Sequence, residues 1–174
     1  MPSRRYPTTL ALDGDRALTI TRSFAAPRAL VFDAWTTAEH LRRWWAPAGL
    51  GVHMEVCEVD ARVGGRYRFV VRASSGHLAG FSGVYTEVVR PERLVYLETF
   101  DPFPDAAATI TLTFTEQGGV TTVHSHEVYP SAEAREGALS SGMEHGMRDT
   151  MEQLAELLAA LQGLEIAGRD QAAG

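Results

Sequence analysis

Between His53 and Val128 the apolar side chains recur at every second position, and beyond Ser131 they recur at every third or fourth. The first spacing belongs to strands with one buried face, the second to a helix with one buried stripe. A run of strands joined by short turns favours antiparallel pairing, and an antiparallel sheet with one apolar face needs a cover. Only one segment is long enough to serve. A helix is predicted from a Ser131 cap to about Gln162, with Leu139, Met143, Gly146, Thr150, Leu154, Leu157 and Leu161 forming one continuous inner stripe. Met147, Met151 and Leu158 lie on its shoulder. The pattern therefore predicts an α+β fold with a curled antiparallel sheet of about seven strands around a long C-terminal helix.

The elements follow from local signals. Leu18 to Thr21 alternates as a first strand. Pro27 suits a first helical position, and Leu30, Val31, Ala34 and Trp35 make the stripe of a short helix. Thr36 and Glu39 have capping-box spacing, opening a second short helix with Leu41, Trp44 and Trp45 that ends at Pro47 and Gly49. Strands are predicted at Met54 to Val59, Arg66 to Arg72, Phe81 to Val89, Leu94 to Phe100, around Ile110, Leu112 and Phe114, and at Val120 to Val128. Tyr67, Phe69 and Val71 share one strand face. Asp101 to Asp105 is predicted as a loop, since proline occurs there twice. Residues 1–15 show no periodicity and are predicted as a flexible arm, 16–162 as one domain, and 163–174 as a flexible tail.

Charge narrows the partners. A net charge of −6, with the basic residues scattered, excludes a nucleic-acid interface. The single cysteine, Cys57, excludes an internal disulfide and any cysteine-based zinc site, and points to a reducing cytoplasm. Arg4-Arg5 is followed by an apolar stretch, Thr8 to Leu12, too short for an export signal. No apolar run is long enough to span a bilayer, so a membrane is not expected as a partner.

Four landmarks occur in order: Leu41-Arg42-Arg43-Trp44-Trp45-Ala46-Pro47, Asp60 to Tyr67, Gly83 to Leu94, and Gly142 to Met147. With the element order, they resemble the START-like, helix-grip (SRPBCC) superfamily. Within it the chain is similar to bacterial proteins related to the C-terminal domain of the activator of heat-shock-protein-90 ATPase. The resemblance runs from about Leu18 to Leu161. It implies a cavity between sheet and helix that holds a small hydrophobic molecule. It also implies, as alternatives, a cyclase or dehydratase acting on a polyketide-like substrate, or a co-chaperone-like interaction domain linked to stress response. A protein partner or homodimer belongs to that last case. Relatives often carry tryptophan where Met147 stands; methionine is slimmer and more adaptable, so a ligand identity does not transfer.

The residues expected to bind the ligand are Trp44, Trp45, Tyr67, Phe69, Phe114, Met143, Gly146 and Met147. Glycine on a buried helix face costs about 1 kcal/mol relative to alanine, so Gly142 and Gly146 mark either close packing or space left open. His124 and His126 share one strand face, as two metal ligands would, but a third is missing. His145 is predicted to lie roughly 145° from the centre of the helix stripe, facing water. No metal and no cofactor are expected. Glu98, Glu127 or one of His124 and His126 are the residues through which acid–base chemistry could enter, and both carboxylates are expected on the solvated face of the sheet. Asp60 and Arg62 are expected to fix their hairpin, and Cys57 to be inert. No glycine loop of the phosphate-binding kind is present.

Overall fold

The computed structural model describes the backbone of residues 6–172 and the side chains to residue 163; Arg4-Arg5 lies outside them. Eight strands form one antiparallel sheet: β1 (Thr9–Asp13), β2 (Ala17–Phe24), β3 (Val52–Val59), β4 (Arg66–Ala73), β5 (Leu78–Val89), β6 (Arg93–Phe100), β7 (Phe103–Gln117) and β8 (Val120–Val128). Their spatial order is β1-β2-β8-β7-β6-β5-β4-β3. Sequential hairpins therefore build the sheet from β3 to β8, and the first two strands close its far side. Helices α1 (Arg28–Thr36) and α2 (Ala38–Trp44), with a 3-10 turn at Ala48–Leu50, fill the connection from β2 to β3.

Alternation decides which face is covered. Ile110, Leu112 and Phe114 are buried, as are Leu94 of β6 and Leu18, Ile20 and Phe24 of β2. Phe24, Leu94, Ile110, Leu112 and Phe114 join Phe32 and Trp35 of α1, Leu41 and Trp44 of α2, and a C-terminal helix through Met151, Leu154, Leu157 and Leu158 in one core. Polar bonds strap that helix from both sides. Gln153 donates to the carbonyl oxygens of Trp44 (2.9 Å) and Ala46 (2.7 Å) and accepts from the Ala48 amide at 2.9 Å. On the opposite side Arg22 of β2 pairs with Glu152 at 2.7 Å, and Arg148 donates to the Thr8 carbonyl oxygen.

Several local expectations need correction. The C-terminal helix is two helices, α3 (Ala132–Ser140) and α4 (Met143–Ala172). Gly142 separates them at φ +83°, a backbone region that L-residues rarely adopt, so it is no mid-helix glycine. The backbone stays helical to Ala172, ten positions past the expected end. In the expected arm, Thr9–Asp13 forms the edge strand β1. Pro104 falls within β7, beside an irregularity in the β6–β7 register, so the turn is shorter than expected. Pro27 is the N-cap of α1 rather than its first residue, and Glu116 accepts from the Arg28 amide at 2.7 Å. Thr36 ends α1 and bonds back to Phe32, so no capping box forms. Ser131 does cap α3, accepting from the Ala134 amide at 3.0 Å.

Candidate ligand-binding site

The inner face of the sheet carries a polar floor. Leu94, Tyr96 and Glu98 alternate on β6, and Val123, Ser125 and Glu127 alternate on β8. Since Leu94 and Val123 are core, Tyr96, Glu98, Ser125 and Glu127 point inward with them. The register agrees: Glu98 lies opposite Ala108 and Glu127 opposite buried Ile110 on β7, with Leu18 on Glu127's other side. The expectation that both carboxylates sit on the solvated face is overturned.

A missing side chain makes one bond possible. Tyr67, Gly83 and Glu98 lie in register across β4, β5 and β6. The Tyr67 ring lies over Gly83, where an added Cβ would overlap it, and its hydroxyl donates to Glu98 Oε2 at 2.6 Å. At the other carboxylate, the Tyr129 hydroxyl donates to Glu127 Oε2 at 3.0 Å and Ser125 to Oε1 at 3.4 Å. Tyr129 also approaches Met143 Sδ at 3.8 Å, which ties this floor to the first turn of α4. Among the described residues no arginine or histidine pairs with either carboxylate.

Burial raises the Glu98 carboxyl above its ordinary range, against the opposing bond from Tyr67. Burial, and then the charge of Glu98, push Glu127 up to about 7, with the bonds from Tyr129 and Ser125 opposing. Tyr67, Tyr85, Tyr96 and Tyr129 are all raised, first by burial and then by neighbouring carboxylate or thiolate charge. Yet Tyr96, Glu98, Glu127 and Tyr129 keep part of their surface accessible. These groups face inward and still meet solvent, as a polar strip along the sheet. An aromatic wall rises beside it: Tyr67 stacks on Phe69 at 4.6 Å, Trp45 tilts onto Phe69 at 4.7 Å, and Tyr96 meets Tyr67 edge-on at 5.6 Å.

This arrangement coincides with a known architecture. Residues 25–159 match the family model "Activator of Hsp90 ATPase homolog 1-like protein". The chain belongs to this family. Its fold is that of the START-like, helix-grip superfamily, a group of ligand-binding domains. Among solved structures, a protein from Rhodobacter sphaeroides is 25% identical at a TM-score of 0.82, covering 88% of this chain and 99% of its own. Protein Ms6760 from Mycobacterium smegmatis is 29% identical at 0.78, covering 87% and 97%. One from Staphylococcus epidermidis is 30% identical at 0.74, covering 87% and 94%. Comparison with curated proteins finds no match.

The residues expected to bind a ligand in this family member fall into three groups. Partly buried Trp45 packs on Phe69, which with Tyr67 is itself buried in the core, and Met143 and Met147 are half-buried on the first turns of α4. Gly146 faces Pro47, whose Cγ would stand 3.6 Å from an added Cβ, so its close neighbour is the segment after α2. Trp44 and Phe114 sit in the packed core, both against Trp35, at 4.7 and 5.8 Å between ring centroids. Trp44 also donates to the Ala34 carbonyl oxygen at 2.9 Å. Tyr85, Tyr96 and Tyr129 were not among the expected residues.

His124 and His126 lie opposite Thr113 and Thr111 and point to the outer face. There His124 Nδ1 meets the Thr21 hydroxyl at 3.2 Å and His126 Nε2 meets Asp13 at 3.4 Å. His145 is exposed. Among the described residues no three His, Cys, Asp or Glu side chains are grouped to hold a metal. Arg62 bonds Asp60 at 2.8 Å in the hairpin before β4. Two concavities lie elsewhere, of about 240 Å³ beside Arg22, Phe24 and Leu158, and about 300 Å³ beside Leu50, His145 and Arg148, and neither is lined by Tyr96, Glu98 or Glu127. Their principal charges are already engaged: Arg22 by Glu152, Arg148 by Glu144 and Asp149 by the Gly49 amide. Among the described residues, no helix is long and apolar enough to cross a membrane.

Proposed function

We propose that the chain binds a small apolar or aromatic molecule in the cleft between the inner face of the sheet and the first turns of α4. The observation that carries this reading is the floor itself. Tyr96, Glu98 and Glu127 point into the fold among apolar neighbours and remain reachable from solvent. A packed core would have closed over them or left them out, because a polar group buried without partners costs several-fold more than one hydrogen bond returns. Trp45, Met143 and Met147 supply apolar walls, backed by buried Tyr67 and Phe69, and the carboxylates supply orientation, which is the usual division of labour in a small-molecule site. Membership of a ligand-binding superfamily supports the same reading.

Titration with naphthalene-based fluorescent probes tests it, with intrinsic tryptophan emission as a second readout because Trp45 stands in the wall. The wild type should bind the probe saturably and gain thermal stability by mass action. Met147→Trp should keep the fold and weaken binding by about tenfold or more, as added bulk fills the cleft. A wild type that neither binds probe nor shifts its melting temperature would leave only a well-packed core.

A further inference from the structure

We infer that α3 is a hinged flap, held shut by Arg135 and lifting as one unit about Gly142 to uncover the Tyr129–Met143 end of the inner polar strip. The inference does not depend on the ligand reading, since it concerns how that strip is reached. Among the described residues, no apolar side chain of α3 joins the core or packs against it, whereas α4 contributes Met151, Leu154, Leu157 and Leu158. Lifting α3 therefore returns little apolar surface to water, and segments of that kind open locally at a fraction of the global cost.

The fastening of α3 is polar instead. Its one buried residue is an arginine. Arg135 is 7% exposed, and its Nη1 donates to the carbonyl oxygens of Gly14 at 2.8 Å and Ala17 at 3.0 Å, on the β1–β2 hairpin. Among the described residues these are the only hydrogen bonds from α3 to the rest of the fold. The contact of Arg135 Nη2 with Glu136 and the bonds of Ser131 and Ser140 are local to the helix. Arg135 Nε is buried with no partner among the described residues. A buried charge so incompletely bonded regains hydration on opening, which offsets much of the loss of its two bonds.

The joints suit such a movement. Gly142 has φ +83°, and nothing lies within 4 Å of a Cβ added there, so this end is permissive and unobstructed. Ser140, Ser141 and Gly142 are exposed, as is Pro130 at the other root. Element ends of this kind commonly serve as hinges of lids. The chain is fixed just before the flap, where the Tyr129 amide donates to the Arg16 carbonyl oxygen at 2.8 Å. Across the base of the flap, the Tyr129 hydroxyl bonds Glu127 and approaches Met143 Sδ, so a lifted α3 opens the strip at that end.

Native-state hydrogen exchange of the full chain, read by mass spectrometry, tests the flap. Amides of residues 136–141 should exchange about a hundredfold or more faster than those of residues 151–158, at a rate insensitive to low urea. Arg135→Ala should speed the first segment by about tenfold or more and leave the second unchanged. Peroxide oxidation is the second readout: Met143 should oxidise about tenfold faster in the variant, with buried Met151 unchanged. Equal protection of the two segments in the wild type overturns the flap. Unchanged exchange in the variant, or faster exchange of both segments together, overturns Arg135 as its latch. Unchanged oxidation of Met143 overturns the uncovering of the strip. If Arg135→Ala does not fold, Arg135→Lys, which reaches one carbonyl at a time, takes its place with the same readouts.

Discussion

Tyr67 reaches Glu98 only because the residue between them has no side chain. Gly83→Ala should therefore displace the tyrosine ring, break the bond to Glu98, and cost about 1–3 kcal/mol as other overpacking substitutions do. Urea unfolding measures the cost, and near-ultraviolet dichroism reports the tyrosine environment. A loss under about 0.5 kcal/mol, typical of surface sites, would show that the ring has room elsewhere. At this scale more was legible than was read. Leu94 and Val123 are strong inward markers, and counting in twos from each arrives at Glu98 and Glu127. What hid them was the default that carboxylates stay in water, which holds for most proteins and fails on the inner face of this sheet. The crossing over Gly83 was not legible, because it depends on the register of three strands together.

Periodicity served the elements well where they are long. The strands β4 to β8 and the α4 stripe of Leu154, Leu157 and Leu158 lie where alternation and helical spacing put them. It could not see the break at Gly142, because a glycine between two in-phase helical segments leaves the spacing intact. Nor could it find β1, whose residues are mostly exposed and so lack a buried face to mark. Gly142→Ala tests the break. Alanine strongly disfavours the left-handed backbone at φ +83°, so the variant should lose about 1 kcal/mol or more in denaturant unfolding. A gain in stability with increased helical dichroism would mean that α3 and α4 readily fuse into the single helix that the spacing suggests.

Across the whole molecule, α4 is held by Gln153 on one side and by Arg22 and Arg148 on the other, and the inner carboxylates sit under its start. Their ionisation is therefore coupled to global stability. Glu127 titrates at about 7 in the folded chain against an ordinary 4.5, so between these values the folded state holds a proton that the unfolded chain has released. The stabilisation is fully present below about pH 4.5 and is lost as pH rises through about 7, an effect of at most about 3 kcal/mol. Melting temperature should fall from about pH 5 to about pH 8, and Glu127→Gln should flatten that slope. A slope unchanged in the variant would place the titration elsewhere. Asp101, held below its ordinary range by Arg68, acts oppositely and only at lower pH. The ring of Tyr67 lying over Gly83 has one more consequence, for the order in which substitutions can accumulate. Alanine at position 83 is most harmful while tyrosine occupies position 67; a small residue there removes that clash and leaves only the Leu97 carbonyl oxygen, 2.7 Å from the added Cβ. Stabilities of the two single variants will not add to that of the double. The pair is epistatic, and losing the ring first is the less costly order, with the approach of the Leu97 carbonyl still to be accommodated.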